Sequence, residues 1–365
     1  MRIEIQTLGD FARGAAFLGS GGGGDPYYGV LLAEAELAKH GPVELISIAD
    51  LDDHAIIAPC GWIGAPTVSV EKLPNGREVI AGLQKLEAVI GGAVDAVMPV
   101  EIGGGNGLAP LVAAAKLKLP VVDADGMGRA FPESQMSSFN ILGVSSCPAI
   151  VTSGDGSTVL IEGCDNLAHE RIARGISVAM GGIAHMVEYP LTGREARRTA
   201  IHGSVSAAIS IGAAVRNAQA VGVDPFEALF AALRVTGTYR HAGTLFDGKI
   251  VDIERETKGG FSIGRATIEA FGSNENMEVI FKNENLVAKR GGTVVALVPD
   301  IITIMDRETA DSITTERLKY GQRVRVVAAA APMLLREAHA LAVVGPKAFG
   351  LDETYTPVEM LNGWS

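Results

Sequence analysis

A chain of 365 residues, 47% hydrophobic and 20% charged, is long enough for two or three structural units and too apolar to be disordered. Its formal charge of -11 offers no basic field for nucleic acid, and its apolar stretches are interrupted by charges or glycines, so neither nucleic-acid binding nor a membrane span is expected. Cys60, Cys147 and Cys164 are far apart and form no CxxC pair, which argues against a disulfide scaffold or a zinc knot. With no signal-peptide pattern at the start, a cytoplasmic protein is expected.

Leu8, Phe11, Ala12, Ala15 and Leu18 recur at helical spacing, which predicts a helix over 7–18. The run Gly21, Gly22, Gly23, Gly24 follows, then Asp25-Pro26, a helix N-cap and first-turn pair that predicts a second helix over 26–39. Strands are expected at 43–48 and 55–58, then a turn-rich loop over 60–66. A helix at 78–90, a strand at 96–100, a helix at 108–117 and a strand at 120–122 follow. Such alternation predicts an α/β fold: an N-terminal layered domain with a largely parallel sheet, its chemistry at the strand ends.

A strand pair is expected across Gly154-Asp155-Gly156, then a short helix over 166–173 and a strand-like run over 176–189. A long small-residue helix is predicted over 193–220, and a further helix begins at Asp224-Pro225. From about 238 the period shifts to two, with a hairpin turn at 246–249 and strands at 262–271, 277–281, 286–288, 293–298, 301–306 and 324–329. These patterns divide the chain into an α/β domain (1–165), a helical connecting region packed on it (166–237), a β-rich C-terminal domain (238–331), and a final helix with a lightly structured tail (332–365).

Candidate chemistry gathers after the elements of the first domain. Four adjacent glycines are retained where φ is positive or a backbone approaches closely, so the loop Gly21 to Gly24 is a candidate ligand site. Asp25 is either a cap or a chemical group. The loop is followed by no Lys-Ser/Thr, so it is not a P-loop, but a helix N-terminus beside it suits a phosphate or carboxylate. In VEIGGGN, Glu101 ends an apolar strand next to a backbone-lined opening formed by Gly104 and Gly105. Asn106 is a helix cap or a ligand contact. In VVDADGMGRAFPE, Asp123 and Asp125 point to one face if the chain stays extended, where they either share a divalent cation or divide into acid and base. Arg129 is their natural electrostatic partner or a clamp for a substrate carboxylate, and Glu133 is active or pairs with Arg129. The scattered histidines form no metal motif, His185 standing out only for the Gly181-Gly182 before it. Cys60 and Ser20 lack a local base.

The segments AAFLGSGGGGDP (15–26), MPVEIGGGNG (98–107), VVDADGMGRAFPE (121–133) and GGTVVALVPDIITIMD (291–306) resemble the DUF917 family, also called the S-methyl thiohydantoin desulfurase family, over nearly the whole chain. The resemblance implies an α/β domain followed by a β-rich one, and an association with hydantoinase and oxoprolinase-type proteins. It also implies hydrolytic removal of sulfur from a small thiohydantoin-like ring. On this reading Asp123 or Asp125, with or without a divalent metal held by the two, activates water. Arg129 and the glycine-loop amides stabilise the developing charge, and Glu101 or Glu133 protonates the leaving group. A phosphate- or nucleotide-binding enzyme and a non-catalytic subunit are the alternatives; the small-residue helix is either a protein interface or dense packing within the domain, and a homo-oligomer is a further expectation.

Overall fold

The computed structural model describes residues 1–64, 68, 74–258 and 261–364. Its first sheet contains β1 (Arg2–Ile3), β2 (Val43–Ile46), β3 (Ile56–Gly64), β4 (Ala96–Pro99) and β5 (Val121–Val122). Beyond the separate short strand β6 (Ala124–Asp125), it adds β7 (Ala149–Thr152), β8 (Thr158–Ile161), β9 (Ile183–Val187) and β10 (Leu191–Thr192). The order is β1-β2-β5-β4-β3-β9-β7-β8, with β10 beside the start of β3. The pairs β2–β5, β5–β4 and β4–β3 are parallel and the flanking pairs antiparallel, so the expected α/β layer is a mixed sheet with a parallel centre.

Parallel strands must be covered on both faces, and here they are. On one face Ala58, Cys60, Val97 and Val121 share a core with α1 (Ile5–Leu18), α2 (Pro26–His40), α3 (Arg77–Ile90) and α4 (Ala109–Leu117). On the other, Ile57, Met98 and Val122 meet Phe139 of α5 (Ser138–Ile141), and Ile63 and Met186 meet Ala173 of α6 (Asn166–Ala179). Cys60 and Trp62 lie within β3, so the loop expected over 60–66 is strand as far as Gly64; Ala65 and Pro66 lie outside the described residues.

The expected helix over 166–173 continues to Ala179, and the strand-like run narrows to β9 after Gly181 and Gly182, both at φ +90°. Residues 166–237 therefore place strands in the sheet as well as helices on it. The long helix expected over 193–220 is two, α7 (Gly193–Thr199) and α8 (Ser204–Val221). Strand β11 (Ile201–His202) separates them and pairs with β6. The small residues of α8 serve packing inside the domain: a Cβ at Gly14 would fall 1.8 Å from the Ala208 carbonyl oxygen, and one at Gly212 1.9 Å from that of Asp10. Asp10 locks the same contact through Arg216, at 2.8 and 2.9 Å. Helix α9 (Pro225–Val235) follows, capped by Asp224.

The second sheet is antiparallel. It contains β12 (Ala242–Lys258), β13 (Phe261–Ala270), β14 (Asn276–Lys282), β15 (Glu284–Arg290), β16 (Thr293–Leu297), β17 (Ile301–Asp306) and β18 (Arg323–Ala329), in the order β16-β15-β14-β13-β12-β18-β17. Alternation places Met277, Val279 and Phe281 inward, each such burial contributing ~1.5–3 kcal/mol. The hairpin turn expected at 246–249 is absent. These residues run on within the 17-residue β12, where Gly248 lets Glu269 approach so closely that a Cβ would lie 2.2 Å from its carbonyl oxygen. The chain's end is also more ordered than a tail. Asp300 accepts the Val358 amide and the Tyr355 hydroxyl, α10 (Ala338–Val344) and α11 (Val358–Asn362) form, and Trp364 packs on Gly243.

Candidate active site at the junction of the two sheets

A cleft of about 830 Å³, counted to its open mouth, lies between the two sheets. The α/β part contributes Gly23, Gly24 and Asp25, Tyr28 of α2, Trp62 of β3, and Glu101, Gly105 and Asn106 beyond β4; the β part contributes Asn283 and Glu284. Asn283 sits at φ +58° between β14 and β15, a turn conformation that Asn tolerates better than most residues. That turn carries Glu284 to the glycine loop.

The two glycine segments pack backbone on backbone. The Gly105 amide donates to the carbonyls of Gly23 and Gly24 at 2.9 and 3.0 Å, and a Cβ at Gly23 would fall 2.3 Å from the Gly103 carbonyl oxygen. Gly22 makes room for a side chain rather than for a ligand, since a Cβ there would lie 2.1 Å from Glu284 Oε1; one at Gly21 would meet Asn285 Nδ2 at 2.7 Å. Gly23, Gly24 and Gly105 reach the cleft, whereas Gly21, Gly22 and Gly104 lie behind its wall. Asp25 caps α2 through the Tyr27 amide (2.9 Å) and pairs with Arg317, so a carboxylate already occupies the helix end that a phosphate would need. Ser20 exchanges two hydrogen bonds with the Ile302 backbone, fixing the loop to β17.

Glu101 and Glu284 are buried carboxyls on one cleft, 4% and 2% exposed. Glu101 accepts Asn106 Nδ2 at 2.5 Å and the Phe131 amide at 3.1 Å, and Asn106 is in turn fixed by the Trp62 amide at 2.6 Å. Burial pushes Glu101 up to about 7, against the pull of these two donors, with the Asp125 charge adding to the rise. Burial, then the charge of Glu101, pushes Glu284 up to about 8, with Arg129 and the Gly23 amide opposing. Burial thus sets the two carboxyls at staggered values, Glu101 the easier to ionise, which is the division an acid–base pair needs. Sequence reasoning misses Glu284. Its one signal is a carboxylate where the strand pattern calls for an inward residue.

The acidic motif faces elsewhere. Asp123 Oδ1 accepts the Ser206 amide at the start of α8 (2.9 Å), and Asp125 Oδ2 accepts the amides of Ile102, Met127 and Gly128 at 2.9, 2.9 and 2.7 Å. Neither lines the cleft. Asp125 is thus a brace between two turns, raised to about 6 by burial against its three donors. The two carboxylates considered from sequence as a shared cation site bind different backbone segments. Among the described residues no group of three or more His, Cys, Asp or Glu could hold a metal ion.

Arg129 is wholly buried and bonds to carbonyls rather than to Asp123, Asp125 or Glu133, with Nη1 at 2.8 Å from Asp300 O and Nε at 2.9 Å from Ala130 O. Its charge reaches Glu284 and Glu101 through the protein interior. Glu133 pairs with Lys282 at 2.8 Å; burial opposes its ionisation, but Lys282 and Gln135 outweigh it and hold the carboxyl below its usual range. Behind the cleft lies a further buried carboxyl, Glu188, bonded to the Ser134 hydroxyl and 3.7 Å from His169; burial raises it to about 8. Cys60, pushed up to about 12 by burial, is a packed thiol, and His185, driven down to about 3, stacks edge-on against Trp62 at 5.1 Å.

Fold and site together define a chain in which an α/β unit and a β unit meet around two buried carboxyls and a double glycine wall. The chain belongs to the S-Me-THD-like family: its N-terminal domain matches residues 6–163 and its C-terminal domain residues 164–358. A crystal structure of a protein from Chromobacterium violaceum is similar over 98% of this chain and 100% of its own, with TM-score 0.82 and 22% identity, a likeness of fold alone. No curated protein matches. No helix among the described residues is long and apolar enough to cross a membrane.

Proposed function

We propose that the chain is a hydrolase acting on a small cyclic amide or thioimidate ring of the S-methyl thiohydantoin type, with Glu101 and Glu284 as its acid–base pair. The observation that carries this reading is the placement on one cleft of two buried carboxyls, one beyond β4 of the first sheet and one at the start of β15 of the second. Glu101, the easier to ionise, takes a proton from water as the oxygen attacks the ring carbon between nitrogen and sulfur. Glu284 protonates the ring nitrogen. Collapse of the adduct breaks the C–S bond. The hydroxyl proton returns to Glu284, and Glu101 gives its proton to the departing thiolate. Ring thioimidate and water become ring amide and thiol, and both carboxyls recover their starting states. Asn106 positions Glu101, and Arg129, through the interior, eases ionisation of the pair.

Turnover of S-methyl thiohydantoin, thiohydantoin and hydantoin, followed by mass spectrometry, tests this directly. We expect thiol release by the wild type, a loss of at least a hundredfold in Glu101→Gln and Glu284→Gln, and near-normal rates in Asp123→Asn. Retained turnover in both Gln variants would overturn the assignment. Chelation and metal restoration in the same assay read out whether a divalent cation takes part.

A further inference from the structure

Among the described residues lining the cleft, Arg174 of α6 alone carries a permanent positive charge. Its guanidinium is held from three sides: Nε on Glu170, Nη2 on the Pro132 carbonyl at 2.9 Å, and its face 4.7 Å from the centre of the Phe261 ring. Nη1 has no acceptor among the described residues. Asn283, 5% exposed, lines the same cleft; its Oδ1 accepts the Ser262 amide at 2.8 Å, which fixes the amide's orientation and leaves the Nδ2 donor without an acceptor among the described residues. Two neighbouring carboxylates already hold cations of their own. Asp25 has Arg317, and Glu133 has Lys282. Held N–H donors without acceptors among the described residues, one of them cationic, favour a charged acceptor over a neutral one.

We propose that the cleft takes a ring bearing an anionic substituent, a carboxylate held by Arg174 Nη1 and Asn283 Nδ2. The ring part rests on the hydrolase reading above; the anion part does not. Calorimetric titration separates them, using hydantoin, hydantoin-5-acetic acid and the matching acetamide, with succinate and its diamide as ringless probes.

The acid is expected to bind at least tenfold more tightly than its amide, and succinate more tightly than its diamide. Arg174→Gln is expected to abolish both preferences while leaving unsubstituted hydantoin unchanged. Asn283→Asp retains the acceptor for Ser262 and leaves the Glu170–Arg174 pair intact, yet sets a negative charge beside the subsite, and it is expected to reverse the preference. Equal binding of acid and amide, or a preference that survives both substitutions, would overturn the anion subsite. If no ring binds while succinate is still preferred, the ring reading fails and the subsite stands.

Discussion

Replacing Glu284 by glutamine separates the buried-pair argument from any assay of turnover. In the unfolded chain this carboxyl titrates near 4.5, in the folded protein near 8. Between these values the unfolded state releases a proton that the folded state keeps. The contribution of this group to stability is therefore fully present below pH 4.5, declines as pH rises, and is lost above pH 8. At about 1.4 kcal/mol per unit, the rise is worth on the order of 5 kcal/mol, an upper bound because the interior relaxes around a new charge. The substituted side-chain amide cannot ionise, and it also relieves Glu101 of a like-charged neighbour. Urea unfolding of both proteins at about pH 5 and about pH 9 gives the loss of stability for each, and any pH-independent effect of the substitution cancels in the comparison. The variant should lose several kcal/mol less than the wild type across that range. Equal losses would show that Glu284 is not an unfavourably buried acid, and the acid–base reading would fall with it.

Three further outcomes are expected. With Glu101 required as carboxylate and Glu284 as acid, kcat/KM should rise through about pH 7 and fall above about pH 8, and a flat profile between pH 6 and 9 in initial-rate measurements would contradict the assignment. Gly22→Ala puts a methyl where Glu284 Oε1 now lies, so it should reduce kcat at least tenfold, whereas Gly24→Ala has open space and only the strain of φ +78°, ~1–2 kcal/mol in thermal or urea unfolding. Asp125→Ala strands three buried amides at ~1–3 kcal/mol each, which should show as collapse of soluble yield, with Asp123→Ala far milder.

The alternation of helix and strand, the caps Asp25 and Asp224, and the period-two β segments are local, and they are legible from the chain alone. So is Glu101, because a carboxylate ending a buried strand before glycines has few places to go. What misleads is charge density. Asp123 and Asp125 stand two residues apart and invite a joint role, but backbone amides from 206 and from 102, 127 and 128 claim them separately, and no pattern within 121–133 announces those partners. The approach of Gly22 to Glu284 joins opposite ends of the chain and is decided by how two sheets dock. In the sequence the glycine run reads as donors for a ligand; in the fold it gives clearance to Asn285 at Gly21, to Glu284 at Gly22 and to the Gly103 backbone at Gly23. The hairpin expected at 246–249 fails for a related reason: Asp-Gly signals a turn only where the flanking strands pair with each other, and here β12 continues between β13 and β18.

Strand β9 lies between β3 and β7, so the hairpin β7–β8 reaches the rest of the first sheet only through a segment that belongs to the C-terminal family domain. Cutting the chain at the family boundary would strip a partner from β3 and cast the hairpin loose, exposing raw strand edges of the kind that recruit other chains. The two halves are woven rather than strung. They are expected to melt as one unit, and neither half could be exchanged for a foreign one without carrying its share of the other's sheet.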